Sequence, residues 1–237
     1  MLSDILTKTA PRYKCTLPHS KDDHYFRPFF VKEEKILLLA LEEKTTSALA
    51  ISMKIIIENC CEDITDASEL SFCDACYLFL KIRSKSVGEV IEAKVQDTQL
   101  NQYEVIFNLE KDIKVVGENQ NPAIQLNDDV AIEMAEPKLK TYIEVSTEDE
   151  LKSYYEIISK CIKKVKTKDG DIDVSTIEKN ELLDFVENLN KKQFQEVVDY
   201  ITNSKKIVLE TKYQSKNGTQ DITIESIFDF FGFPSVI

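Results

Sequence analysis

The sequence predicts an α+β fold, on three observations. A block rich in strong helix formers runs from residue 31 to residue 84. A block alternating apolar and polar residues follows over 89–134. Amphipathic helical segments return over 147–203, and an Asn217–Gly218 pair then marks a closing hairpin. Helices grouped apart from a run of short strands indicate α+β and not a regularly alternating α/β chain. The expected order is an N-terminal hairpin and helices, a mainly antiparallel sheet, and a mostly helical C-terminal region ending in a hairpin and short helix. The expected division is 1–137 for the first domain and 138–237 for the second.

Residues 12–17 and 25–30 predict two short strands joined by the polar stretch PHSKDDH. Pro28 holds Arg27 in extended geometry and supplies no backbone donor, so YFRPFF suits the handover from strand to helix. Alternation puts Tyr25, Arg27 and Phe29 on one face and Phe26 and Phe30 on the other. A guanidinium among aromatic rings can stack on them and still reach a carboxylate, with Glu33, Glu34 or an acidic strand as candidates. From Val31, VKEEKILLLALEEK predicts a helix with Glu33 and Glu34 in its first turn. Its ILLLAL run is apolar on every face, which requires deep burial or a partner.

A second helix is expected over 46–60, a loop with a helix start over 63–70, and a third helix over 74–84 ended by Gly88. Residues 89–95 and 103–109 alternate as half-buried strands, and 113–116, 123–126 and 130–134 are shorter ones, with Asn, Asp, Gly and Pro between them. Ser146 or Thr147 is placed to cap a helix expected to run to Lys164, followed by a turn at KTKDGD. Two amphipathic helices over 178–189 and 191–203 precede the hairpin over 205–224. The terminal IFDFFGF reads equally as a core plug or a docking segment, with Phe228 and Phe231 its principal anchors.

Composition limits the function classes. The 237 residues are 43% hydrophobic and 30% charged, enough to bury a core without disulfide or metal support. The net charge is −12. Most of that excess lies in residues 86–137, with 3 basic and 11 acidic side chains, and all three arginines stand at or before Arg83. Phosphate recognition needs clustered Lys or Arg, so nucleic acid is not the expected partner. The longest apolar run is six residues, far below the roughly 20 that span a bilayer. The N-terminus shows no signal-peptide pattern, and the six cysteines are expected to be reduced thiols.

Candidate chemistry is sparse. Cys73-x-x-Cys76 stands near a helix start, where a redox or metal-binding pair would be activated. Zinc needs two further ligands, which the adjacent Cys60 and Cys61 and the distant His19 and His24 do not supply at useful spacing. Burial beside Phe72 and Tyr77 explains the pair without chemistry. Nothing in the sequence places His24 beside Cys15 or Cys161 as a base–nucleophile pair. Neither G-x-x-x-x-G-K-[ST] nor G-x-G-x-x-G occurs, and five glycines leave little material for phosphate loops. No catalytic residue, cofactor or metal is expected.

Three stretches together, YFRPFFVKEEKILLLALE, LFLKIRSKSVGEVIEAKV and IFDFFGF, resemble the baseplate hub subunit and hub assembly chaperone proteins of T4-type contractile-tailed phages. The resemblance is strongest over residues 10–136. It implies a non-enzymatic viral late protein whose partners are other baseplate or hub proteins. Its expected location is the virion tail baseplate, the host cytoplasm during assembly, or both. It also implies structural or partner-contact roles for Arg27, Pro28, Arg83, Lys85, Ser86 and Gly88. Many members carry a cysteine pair in the C-terminal hairpin; LETKYQSKNGTQDI has none, so no metal is implied there. The competing reading is a thiol-redox or metal-binding protein using Cys73 and Cys76.

Overall fold

The computed structural model describes residues 2–96, 101–147, 149–216 and 218–225, with backbone alone at 2–5 and 150. Phe228 and Phe231, the terminal short helix and Asn217 lie outside the described residues. The fold is α+β, and every strand pairing in it is antiparallel. Among the described residues the strands form four small sheets, not one large sheet.

Helix α1 (Leu2–Thr9) comes first, an element the sequence reading did not anticipate. A hairpin of β1 (Tyr13–Thr16) and β2 (Asp23–Phe26) follows. Helices α2 (Val31–Glu43) and α3 (Thr46–Cys60) form an antiparallel pair, and α4 (Phe72–Val87) packs against α3. Thr45 caps α3 by accepting from the Ala48 amide at 3.1 Å, and Ser71 caps α4 through the Asp74 amide at 3.0 Å. Helix α4 is buried on most of its surface, with Leu78, Phe79, Leu80 and Ile82 all inaccessible. Each such side chain contributes about 1.5–3 kcal/mol of transfer free energy. The buried Asp74 carboxylate accepts from the amides of His19 (2.7 Å) and Ser20 (3.0 Å), anchoring the β1–β2 loop to the first turn of α4.

Strands β3 (Val90–Gln96) and β4 (Gln102–Asn108) pair over seven residues each, burying Ile91, Val95, Val105 and Phe107 on one face. After β5 (Ile113–Val116), β6 (Ala123–Gln125) and β7 (Val130–Met134) start a second sheet. A short helix, α5 (Leu139–Ile143), leads to α6 (Glu150–Lys160). The cap of α6 is Asp149, accepting from the Lys152 amide at 2.9 Å, and not Ser146 or Thr147. Ser146 turns to Glu156, donating its amide at 2.8 Å and its hydroxyl at 2.6 Å.

The helix expected to reach Lys164 ends at Lys160. The chain then becomes β8 (Ile162–Thr167), followed by β9 (Gly170–Asp173), giving the sheet order β6-β7-β8-β9. A bulge explains the misreading. Ile162 faces Met134 while Lys164 faces Glu133, so Lys163 is an extra residue in the ladder. Ile162 and Val165 therefore share the buried face three residues apart, which imitates helical spacing. Helices α7 (Lys179–Glu187) and α8 (Lys191–Asn203) cover this sheet. The hairpin of β10 (Lys206–Ser215) and β11 (Gly218–Ile224) then returns to pair with β5.

Two cores result. The first combines α2, α3, α4, β3 and β4 with Ile207, Leu209, Ile222 and Ile224 of the last hairpin. The second combines Ile124, Ile132 and Met134 with side chains of α6, β8, α7 and α8. The chain thus enters each core from both sides of residue 137.

Candidate interaction site

Two of the stretches that suggested the family meet where β2 hands over to α2. The Arg27 amide donates to the Cys60 carbonyl at 3.0 Å, and Phe26 bridges Cys61, so the strand is continued by the end of α3. Arg27 is 7% exposed. Its Nη2 donates to Glu33 Oε1 at 3.0 Å and to the Asn59 carbonyl at 2.9 Å; its Nη1 donates to the Pro28 carbonyl at 2.8 Å. Its guanidinium carbon lies 4.3 Å from the Phe30 ring centre. One cation thus satisfies a carbonyl in the last turn of α3, where positive charge is favoured, and binds the first turn of α2.

Glu33 is fully buried. Its second oxygen accepts from the Phe30 amide at 2.8 Å, closing the helix N-terminus as half of a capping box, since Phe30 has no side-chain acceptor of its own. Burial pushes the Glu33 carboxyl upward, but the Phe30 amide and the Arg27 guanidinium outweigh it and hold it below the ordinary glutamate value. Phe29 donates its amide to Ser86 Oγ at 2.8 Å, which ties this joint to the C-terminal turns of α4.

The remaining singled-out residues cluster along the end of α4. Lys85 pairs with Glu89 at 2.8 Å and Glu110 at 3.2 Å. Glu110 also receives Lys81 at 2.8 Å and the Ser84 hydroxyl at 3.0 Å, so it fastens α4 to the turn after β4. The sequence reading did not single out Glu110, because nothing local distinguishes it among eleven acidic residues. Gly88 closes α4 at φ 129°, a left-handed value that any L side chain would strain. Arg83 is different. It is part-buried, its Nη1 is shielded from solvent without a hydrogen-bond partner, and burial lowers its pKa.

Beside the joint lies an open groove of about 800 Å³, lined by Leu6, Phe29, Phe30, Val31 and Val87 with Lys32, Glu34 and Ser86 at its edge. Further along α2, the ILLLAL run divides. Leu37, Ala40 and Leu41 are buried, whereas Leu38 and Leu39 are 56% and 55% exposed. These surfaces can hold apolar side chains of another protein; nothing in them is arranged to move a proton or activate a nucleophile.

The cysteines are all buried and free. Burial, reinforced by Asp74, pushes the Cys73 thiol up to about 12, and burial raises the Cys76 thiol as well. A reactive thiol needs the opposite shift. Among the described residues no group of three or more His, Cys, Asp or Glu is placed to hold a metal ion.

The profile of the family described as T4 bacteriophage base plate protein matches residues 10–232. The chain belongs to that family. No curated protein and no solved structure gives a match. The baseplate protein's FRPF joint, α2 and the end of α4 all fall within the matched span. Among its described residues no helix is long and apolar enough to cross a membrane.

Proposed function

We propose that this baseplate-family protein is a non-enzymatic component of the tail hub, a hub subunit or a hub assembly chaperone, acting by protein–protein contact. The observation that carries the reading is the family match over residues 10–232. The site geometry supports it: open apolar surfaces beside a rigid, ion-paired joint suit docking better than catalysis. The expected partners are other baseplate or hub proteins, and the expected location is the tail baseplate, the host cytoplasm during assembly, or both. The buried, protonated Cys73 and Cys76 argue for this reading over a thiol-redox one.

Mass spectrometry of purified virions tests the proposal. A hub subunit is present at fixed stoichiometry; a chaperone is found in infected cells and is missing from finished particles. Disruption of the protein is expected to stop tail assembly in either case. Normal tails formed without it would overturn both versions.

A further inference from the structure

The outer face of α2 carries a pattern that matches itself. Leu39 stands at the centre of the solvent side. Lys32 and Lys35 lie toward the N-terminal end, and Glu42 and Glu43 toward the C-terminal end. Lys35, Glu42 and Glu43 are exposed and make no ion pair among the described residues, while Lys32 lies 3.3 Å from Glu33. Two glutamates in a last turn that has no basic residue stand against the helix dipole, an unfavourable arrangement. Next to them Leu39 forms one wall of a shallow groove whose other wall is Ile51 of α3, with Ala40 and Ala48 at its base.

We infer that α2 pairs antiparallel with α2 of a second copy of this chain, about a two-fold axis near Leu39. Lys35 and Glu42 lie about 6 Å and 4.5 Å along the axis on opposite sides of Leu39, at 1.5 Å rise per residue. Reversing one helix therefore brings Lys35 of each copy beside Glu42 of the other, and Lys32 beside Glu43. Each leucine enters the opposing α2–α3 groove, as an isologous interface requires. The lysines then add to Lys44, the C-cap, in offsetting the glutamates at the negative end of α2. Two copies at −12 repel at long range, but that repulsion is screened beyond about 8 Å at physiological salt, while the contacting pairs are not. The inference does not depend on the hub assignment.

Sedimentation of the full chain tests it, from roughly 1 to 100 μM, the range in which a micromolar dimer forms. The expected species has twice the 27.2 kDa chain mass. Leu39→Lys is expected to give a monomer whose melting temperature equals that of the wild type below the dimer dissociation concentration and does not rise with protein concentration. Lys35→Glu places like charges together twice per dimer and is expected to weaken association at least about tenfold. Adding Glu42→Lys to that variant is expected to restore it. A wild-type monomer throughout the range, as docking of a different protein on α2 would give, overturns the inference. So does a Leu39→Lys protein that remains dimeric, or a double variant no tighter than Lys35→Glu.

Discussion

Arg27 is the side chain on which three segments converge, so its removal has consequences that can be ranked. Truncation to Ala leaves buried Glu33 with the Phe30 amide and the largely exposed Lys32 ammonium, 3.3 Å away, and strips the Asn59 carbonyl of the Arg27 donor. Breaking one side of a buried pair costs about 3–5 kcal/mol, against about 0–1 for an exposed one. Arg27→Ala is therefore expected to lower stability by about 3 kcal/mol in urea unfolding. Arg12→Ala, whose partner Glu62 is exposed, should leave stability nearly unchanged. The pH dependence follows from Glu33. Its carboxyl is depressed in the folded protein, so its stabilisation is present above the unfolded value near 4.3 and is lost as pH falls through the folded value. Glu33→Gln should flatten the fall in stability between about pH 5 and pH 3, measured by thermal melts across that range. The cysteines give a separate check. With Cys73 buried and pushed up to about 12, labelling of the native protein at neutral pH should be far slower than for a free thiol and should become rapid on unfolding. Fast native labelling would reopen the redox reading. How far this scale was legible is itself physical. Pro28 fixes Arg27's backbone, and a glutamate three residues into the helix is within reach, so the pair could be read from FRPFFVKEE. The Asn59 and Ser86 contacts could not, because they depend on how α3 and α4 return.

At the scale of elements, legibility followed local periodicity. Helices α3 and α8 and strands β5 and β7 lie where their spacing put them, since each has a cap or turn residue at its end. The strand β8 was hidden because its bulge at Lys163 replaces period two with a three-residue step. The exposure of Leu38 and Leu39 was also out of reach, since the run alone does not say which side α3 will cover. One glycine carries a prediction here. Gly117 follows β5 at φ 84°, and a Cβ built on it would lie 2.3 Å from the Ser204 carbonyl oxygen, which belongs to the turn between α8 and β10. That contact is backbone on backbone and cannot be relieved by a rotamer change. Gly117→Ala should destabilise the protein by about 2 kcal/mol or more, by adding strain in a left-handed conformation to a steric clash. Gly170→Ala, with positive φ and open space around it, supplies the control with strain alone. Equal effects at the two positions would show that the approach of α8 to β5 is looser than the structure places it.

The whole molecule raises the question of whether the chain divides at residue 137, the boundary expected where Pro137 closes the run of strands. The last hairpin, after that point, supplies Ile207, Leu209, Ile222 and Ile224 to the first core. Strands β6 and β7, before it, supply Ile124, Ile132 and Met134 to the second. A cut after Pro137 would part β7 from β8 along a five-pair register and would leave β5 without β10. Each fragment would then expose an unpaired strand edge together with apolar side chains, the combination that favours aggregation over folding. A protein built from two independent units behaves otherwise: each fragment folds alone, and the full chain melts in two steps. The interleaved packing predicts that residues 1–137 and 138–237, expressed separately, fail to give dispersed amide spectra. The full chain should unfold in a single transition seen alike by far-ultraviolet circular dichroism and by tyrosine fluorescence. Co-expressing the two fragments should recover some folded complex, because every missing strand is then supplied in trans. A 1–137 fragment that folds alone with a sharp melt would place the cooperative boundary at Pro137 and make β10 and β11 a peripheral addition to the first core.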